Sequence, residues 1–424
     1  MMDSGAITQH ADRKRHVINY GFRQNGLRWV LVGLYAAACI WRAPQVFEGR
    51  FWADEGVYYS LFPTFEIVKS ISYTGPGYPA FLTNAAVLLA GIAPIEYAPL
   101  VTTLIGFGAQ LLLAALILFW HERIGIDLLS AAMVVAVLAV LSQAAEMTAN
   151  STMLQWIAAA LSAIILIARA DGSMGRQIFS YCALFVGGLA GAAPALLIPA
   201  FVLKWILYRS RANLAQILSI TVPSLIVMTV ALMTGNQMAQ RTYPLDPDLY
   251  LSIISAQNAI TEFAGFNTSV FISKWYIDAP DSSLALGVKI ASVAMIIAIF
   301  VVGMSFAATR RISLLLFVAY WCSTLGGVFG ALGPHNLIAP VGRYFFASNV
   351  MMLLLLGHLG ARLMRPVMFV LFIWLVAVHS LPSAIPGIYF QGPSWRAQIP
   401  PGGIHEPTVV KIWPAGWSVT LSPR

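Results

Sequence analysis

The chain has 424 residues, of which only 10% are charged and 59% hydrophobic, with a mean hydropathy of +0.77. Soluble domains carry roughly 25% Asp, Glu, Lys and Arg, so a soluble fold, a disordered chain and a nucleic-acid-binding domain are excluded together. The net charge of +8 reports membrane topology, because Lys and Arg gather on the inner side of a bilayer.

In chain order, a polar segment over 1–27 has no signal-peptide core and reads as cytoplasmic. The remainder to 382 reads as one transmembrane domain. Crossing helices need about 20 mostly apolar residues. Eleven runs qualify: 28–45, 99–120, 128–146, 151–168, 178–192, 194–208, 214–234, 284–307, 312–332, 345–360 and 366–382. The runs 178–192 and 194–208 are short and separated by Gly191 to Pro194, so one broken helix is an alternative to two spans. A twelfth run, 78–92, is flanked by Pro76, Pro79 and Pro94. Cys39, Cys182 and Cys322 all sit inside apolar runs, which gives no disulfide framework or metal cluster.

Charge decides the place of 78–92. If it does not cross and the N-terminus is inside, fifteen of the 25 basic residues face inward and twelve of the 17 acids outward. If it crosses, the pairs Arg209/Arg211, Arg310/Arg311 and Arg362/Arg365 turn outward, against the positive-inside rule. The expectation is an all-α polytopic protein with about eleven spans and juxtamembrane helices in a first outer loop, 46–98. Further outer segments are 235–283, 333–344 and a tail, 383–424. Inner loops are short, so function is expected on the outer face.

The first loop packs Glu48, Arg50, Asp54 and Glu55 among Phe51, Trp52, Tyr58 and Tyr59. Carboxylates at a membrane boundary point to function unless they are simply solvated. Partial desolvation raises a carboxylate's proton affinity, which suits a general base, and flat aromatic faces suit sugar rings. An interfacial aromatic belt is the structural alternative.

The sequence Trp52-Ala-Asp54-Glu55-Gly56 with Tyr58-Tyr59, then Gly75-Pro-Gly-Tyr78-Pro79, resembles the GT-C superfamily of integral-membrane glycosyltransferases. This group includes protein O-mannosyltransferases and the lipid A aminoarabinose transferase. The resemblance covers the first third of the chain; beyond that it is topological. It implies a bacterial cytoplasmic-membrane enzyme with its site facing the periplasm. Such an enzyme moves a sugar, with inversion, from a polyprenyl-phosphate-linked donor to an envelope glycan or lipid. It also implies a first-loop acid as general base, which matches Asp54, with Glu55 second. A phosphate leaving group needs no proton, so one carboxylate suffices where an inverting hydrolase needs two.

Secondary candidates follow. Glu146 and Asn150, beside Gln155 and Trp156, are four positions apart and share one face of a continued helix; the resemblance implies that this loop orients the acceptor or holds a metal, with ordinary interfacial polarity as the alternative. Their oxygens are of the type a divalent cation takes, so a divalent cation is an open alternative, and the ligand set is too thin to assign one. Donor phosphate needs outer cations: Arg50, Lys69, Arg241, Lys274, Lys289, Arg343, Arg396 and Lys411 are available. Arg343 stands at the mouth of a span with Tyr344 and His335 nearby, and its guanidinium fork fits phosphate; Arg50 is next. Trp52, Tyr58 and Tyr59 are candidate sugar-binding residues. Asp246-Pro-Asp248 reads as a turn or cap, and the apolar residues of 250–271 read as helices lying on the outer leaflet. The tail, with Trp395, Trp413 and Trp417, reads as a lid without a core of its own. Rival readings are an O-antigen ligase or polymerase, which needs no acidic pair after the first span, and a lipid or polysaccharide transporter. A transporter calls for mid-membrane charges and an internal repeat, and no repeat is visible.

Overall fold

The computed structural model describes residues 25–42, 49–62, 67–75, 79–141, 150–170, 173–234, 246–280, 282–331, 342–380 and 392–423. Glu48, Tyr78, Arg241, His335 and Glu146 lie outside them. Eleven of the described helices fall on the eleven apolar runs: α1 (25–42), α5 (Ala98–Phe119), α6 (Leu128–Val140), α7 (Leu154–Ile167), α8 (Met174–Leu189), α9 (Ile198–Tyr208), α10 (Arg211–Met233), α14 (Ser283–Ser305), α15 (Arg310–Ala331), α16 (Phe346–Arg362) and α17 (Arg365–Ser380). Short helices fill the first outer segment, α2 (Asp54–Leu61), α3 (Ile67–Ile71) and α4 (Phe81–Ala90). Others fill the middle one, α11 (Pro247–Ile254), α12 (Thr261–Ala264) and α13 (Phe266–Asp278). The tail carries α18 (Trp395–Gln398), β1 (Thr408–Lys411) and β2 (Ser418–Leu421). Cys39, Cys182 and Cys322 are free thiols.

Local chemistry sets several helix starts. Asp127, Ser210 and Ser282 cap α6, α10 and α14 by accepting the N–H of Ser130, Asn213 and Ala285. Hydrophobic run length sets the rest. Among the described residues, five helices, Ile95–Phe119, Arg211–Met233, Ser283–Ser305, Arg310–Phe329 and Gly342–Arg362, are long and apolar enough to cross a membrane. The protein is thus helical and built for a bilayer. At its centre, α7 and α16 are buried almost throughout. The outer helices instead expose large apolar side chains, among them Leu225, Met228 and Leu232 of α10 and Ile290 and Val301 of α14. In water such surface would drive association; against lipid it is solvated.

Pairs of contacts show which way successive helices run. Trp29 of α1 packs on Phe119 of α5, with ring centroids 4.9 Å apart. At the other end of α1, Arg42 donates to the carbonyl of Ala139 in α6 (2.9 Å). Gly191, before α9, sits against Gln155 of α7, and Lys204 of α9 donates to the Ala168 carbonyl that ends α7 (3.0 Å). Helices α7 and α9 are therefore parallel, and α8 crosses back between them. The segment 178–208 is two oppositely directed helices, broken where Gly191 takes a φ of +151°. Helix α4 has ten residues, about 15 Å of rise against a hydrocarbon core of about 30 Å.

Two expectations change. The middle segment does not simply lie on a surface. Ile253 and Ile254 are buried against Val328 and Phe345, and the π-helical turn Ser255–Ile260 pushes polar groups into the bundle. Asn258 donates to Ser348 Oγ (2.9 Å) and Thr324 Oγ1 (3.2 Å). An apolar residue reads the same in sequence whether it meets lipid or protein, and the polar partners lie far away in the chain. Phe271, by contrast, is 70% exposed. The tail also departs from an all-α pattern: β1 and β2 pair antiparallel. It has no core alone, as expected, but it completes one. Trp395, Val410, Ile412, Val419 and Leu421 pack with Phe51, Tyr58, Tyr59 and Val87 of the first segment.

Candidate active site at the first outer segment

Asp54 and Glu55 open α2, where a helix N-terminus favours negative charge. The chain enters through Ala53, at φ 35° and ψ −109°, a conformation that strains any residue with a Cβ. Two backbone bonds hold it there: the Ala53 N–H donates to the Trp413 carbonyl, and the Trp413 N–H to the Phe51 carbonyl. The tail thus grips the strand that presents the two acids.

Neighbours in sequence, the two carboxylates have different surroundings. Glu55 is 1% exposed. Its Oε1 accepts the Ser151 N–H and hydroxyl, and its Oε2 accepts the Trp52 N–H (2.9 Å) and the Thr102 hydroxyl (3.3 Å). Burial raises its pKa, opposed by those hydrogen bonds. With both oxygens engaged, Glu55 clamps α2, α5 and the 150 segment together. Asp54 is half-buried. Burial raises its pKa above the ordinary carboxylate range, and the Arg343 guanidinium opposes the rise. Burial raises the Tyr73 pKa, and the negative charge of Asp54 raises it further. Tyr73 is placed by Asn84 of α4, whose amide donates to the carbonyls of Ile71 (2.8 Å) and Tyr73 (3.0 Å).

Arg343 is half-buried, its Cζ 5.1 Å from the centroid of the Tyr344 ring. Tyr344 meets Trp156 edge-on at 5.2 Å. The fold therefore brings together Asp54, Tyr73, Trp156 and the neighbours Arg343 and Tyr344 from four separate stretches. Asn150 is buried, its Oδ1 accepting from Thr152 Oγ1 (2.7 Å). Its backbone runs so close to Gly106 of α5 that a Cβ there would lie 2.6 Å from it.

The other first-loop candidates have different placements. Arg50 is 2% exposed, donates to the Gly392 carbonyl (2.9 Å) and lies 4.8 Å over the Trp413 ring. Its guanidinium fastens the tail. Tyr59 is wholly buried, tilted on Phe51 at 4.5 Å, and Tyr58 packs edge-on to Tyr73 at 5.2 Å. Trp52 is 9% exposed. These three rings build the core beneath the acids instead of offering a face to a sugar, because the tail covers them. Asp246 caps α11 by accepting the Asp248 N–H (3.0 Å), as its turn context implied, and Asp248 pairs with Lys289 (2.7 Å). Arg396 stacks over Tyr97 at 4.2 Å. Among the described residues no three His, Cys, Asp or Glu gather as a metal set.

Sequence reasoning missed Tyr73, Ser151 and Thr102, which carry no motif. It also missed Glu262, fully buried with neither carboxyl oxygen hydrogen-bonded among the described residues. An acid inside an apolar run was the available signal there. Comparison with protein-family profiles, with curated proteins and with solved structures finds no match to this chain.

Proposed function

We propose that this chain is an inverting membrane glycosyltransferase of GT-C type, with about eleven spans and the Asp54 end on the outer, periplasmic face. A polyprenyl-phosphate-linked sugar is the donor, and an envelope glycan or lipid is the acceptor. The observation that carries the reading is the electrostatic influence of Arg343 on Asp54. A partly desolvated carboxylate stands in the field of a guanidinium contributed from nearly 290 positions away.

In this reading the Asp54 carboxylate takes the proton of the acceptor hydroxyl as that oxygen attacks the anomeric carbon. The bond from that carbon to the phosphate oxygen breaks, and its electron pair leaves with the polyprenyl phosphate. Arg343 stabilises the charge that gathers on the phosphate, and Tyr344 and Trp156 flank it. Glu55 holds the loop and takes no proton.

The test uses the full chain in nanodiscs with a panel of polyprenyl-phosphate-linked sugars, following release of polyprenyl phosphate. Release by the wild type and its loss in Asp54→Asn are expected. Undiminished release by Asp54→Asn would remove Asp54 from the chemistry.

A further inference from the structure

At the end of the bundle opposite Asp54, the ends of α7, α9 and α16 and the starts of α10 and α15 surround a cavity of about 530 Å³. Arg123, Arg169, Lys204, Arg311 and Arg362 line it, and no Asp or Glu does among the described residues. Asp127 lies in an adjoining hollow and pairs with Arg365.

Lys204 sets the character of the cavity. It is 3% exposed, and its ammonium donates to the carbonyls of Ile165 (3.1 Å) and Ala168 (3.0 Å) and to Gln216 Oε1 (3.0 Å). All three acceptors are neutral, so the hydrogen bonds are satisfied and the charge is not. A buried ammonium without a counter-charge is costly, so this amine keeps its proton best with an anion beside it in the cavity. The walls are shaped for one. Arg123 is held by donating to the Arg169 carbonyl (2.6 Å) and lies 4.6 Å over Trp120. Arg311 is held 5.4 Å over Tyr208. Topology alone calls for cations near this face. It does not call for five of them around one hollow with a buried ammonium in its wall.

We infer that this cavity binds a phosphate-bearing anion through guanidinium groups, as basic pockets between membrane helices do. The site is separate from Asp54 and does not rest on glycosyl transfer. Two sources share the chemistry: the headgroup of an anionic phospholipid in the adjoining leaflet, and free phosphate.

The test is native mass spectrometry and thermal melting of the full chain in phosphatidylcholine nanodiscs. Phosphatidylglycerol is titrated in one arm and inorganic phosphate in the other. Wild type is compared with Arg311→Gln/Arg362→Gln, both exposed positions, and with Arg310→Gln, exposed and outside the cavity. Binding of either probe that weakens roughly 10- to 30-fold in the double variant, and not in Arg310→Gln, is expected. Retention of phosphatidylglycerol identifies the lipid as source, and saturation by phosphate alone identifies the soluble anion. Wild type that binds neither probe, or binding equal in all three proteins, would overturn the site. If the double variant melts early, Arg362→Gln alone and competition between the two probes on wild type decide by the same criteria.

Discussion

The Glu55 carboxylate takes both the backbone N–H and the hydroxyl of Ser151, 96 positions later in the chain. Its other oxygen holds Trp52 and Thr102. Adjacent acids thus divide their work, one binding the site together and the other facing Arg343.

Glu55→Gln turns one acceptor oxygen into a donor facing donors. A loss of about 1–3 kcal/mol in stability is expected, read as a lower melting temperature in detergent. Asp54→Asn removes a charge that burial disfavours, so its melting stays near wild type while transfer falls about 10²- to 10⁴-fold. A stable Glu55→Gln with no turnover, beside an active Asp54→Asn, would move the base to Glu55.

Arg343→Gln removes the charge that favours ionised Asp54. The Asp54 pKa then rises further above its ordinary value, so deprotonation needs higher pH. The acid limb of the pH–rate profile is expected to move to higher pH, with a raised KM for the lipid donor. An acid limb in the same place would separate the two residues.

Gly106→Ala places a Cβ 2.6 Å from the Asn150 backbone. Backbone cannot swing aside as a flexible side chain does, so α5 or the 150 segment must shift. Destabilisation of about 1–3 kcal/mol is expected, together with weaker transfer, because Ser151 and the Glu55 clamp move with it. Unchanged melting would show that α5 has room to give.

Lys289 is fully buried and Asp248 about half exposed in their 2.7 Å pair. Asp248→Asn leaves the ammonium without its partner and is expected to cost roughly 2 kcal/mol, less than a fully buried pair because water reaches one side. Adding Lys289→Met should restore most of the melting temperature. A double variant worse than Asp248→Asn would show that Lys289 is needed for its packing over the Tyr276 ring, 5.0 Å from its centroid.

Much of the architecture was legible from charge and hydropathy. The apolar runs recur as helices because a helix is the only isolated element that satisfies its backbone in lipid. The ten-residue limit of α4 was foreshadowed by flanking prolines, and the Asp246 cap by Pro247. The scarcity of charge drew attention to the first loop; the resemblance then pointed to Asp54, and a place at the mouth of a span singled out Arg343.

Their meeting was not legible, nor were the separate roles of Asp54 and Glu55. One-position spacing cannot say which carboxylate is engaged by Ser151 and Thr102 and which lies in the field of Arg343. That is decided by the strained turn at Ala53 and the tail that grips it. Likewise, the aromatics of the first loop looked available to a sugar until Trp395, Ile412 and their neighbours covered them. The basic residues opposite, which by themselves report only sidedness, share a cavity because helices from distant stretches end together around Lys204. Sequence by itself determined the solvent this protein is built for and where its scarce charges lie. Only the tertiary structure decided which of those charges face one another, because burial and hydrogen bonding depend on neighbours that come from elsewhere in the chain.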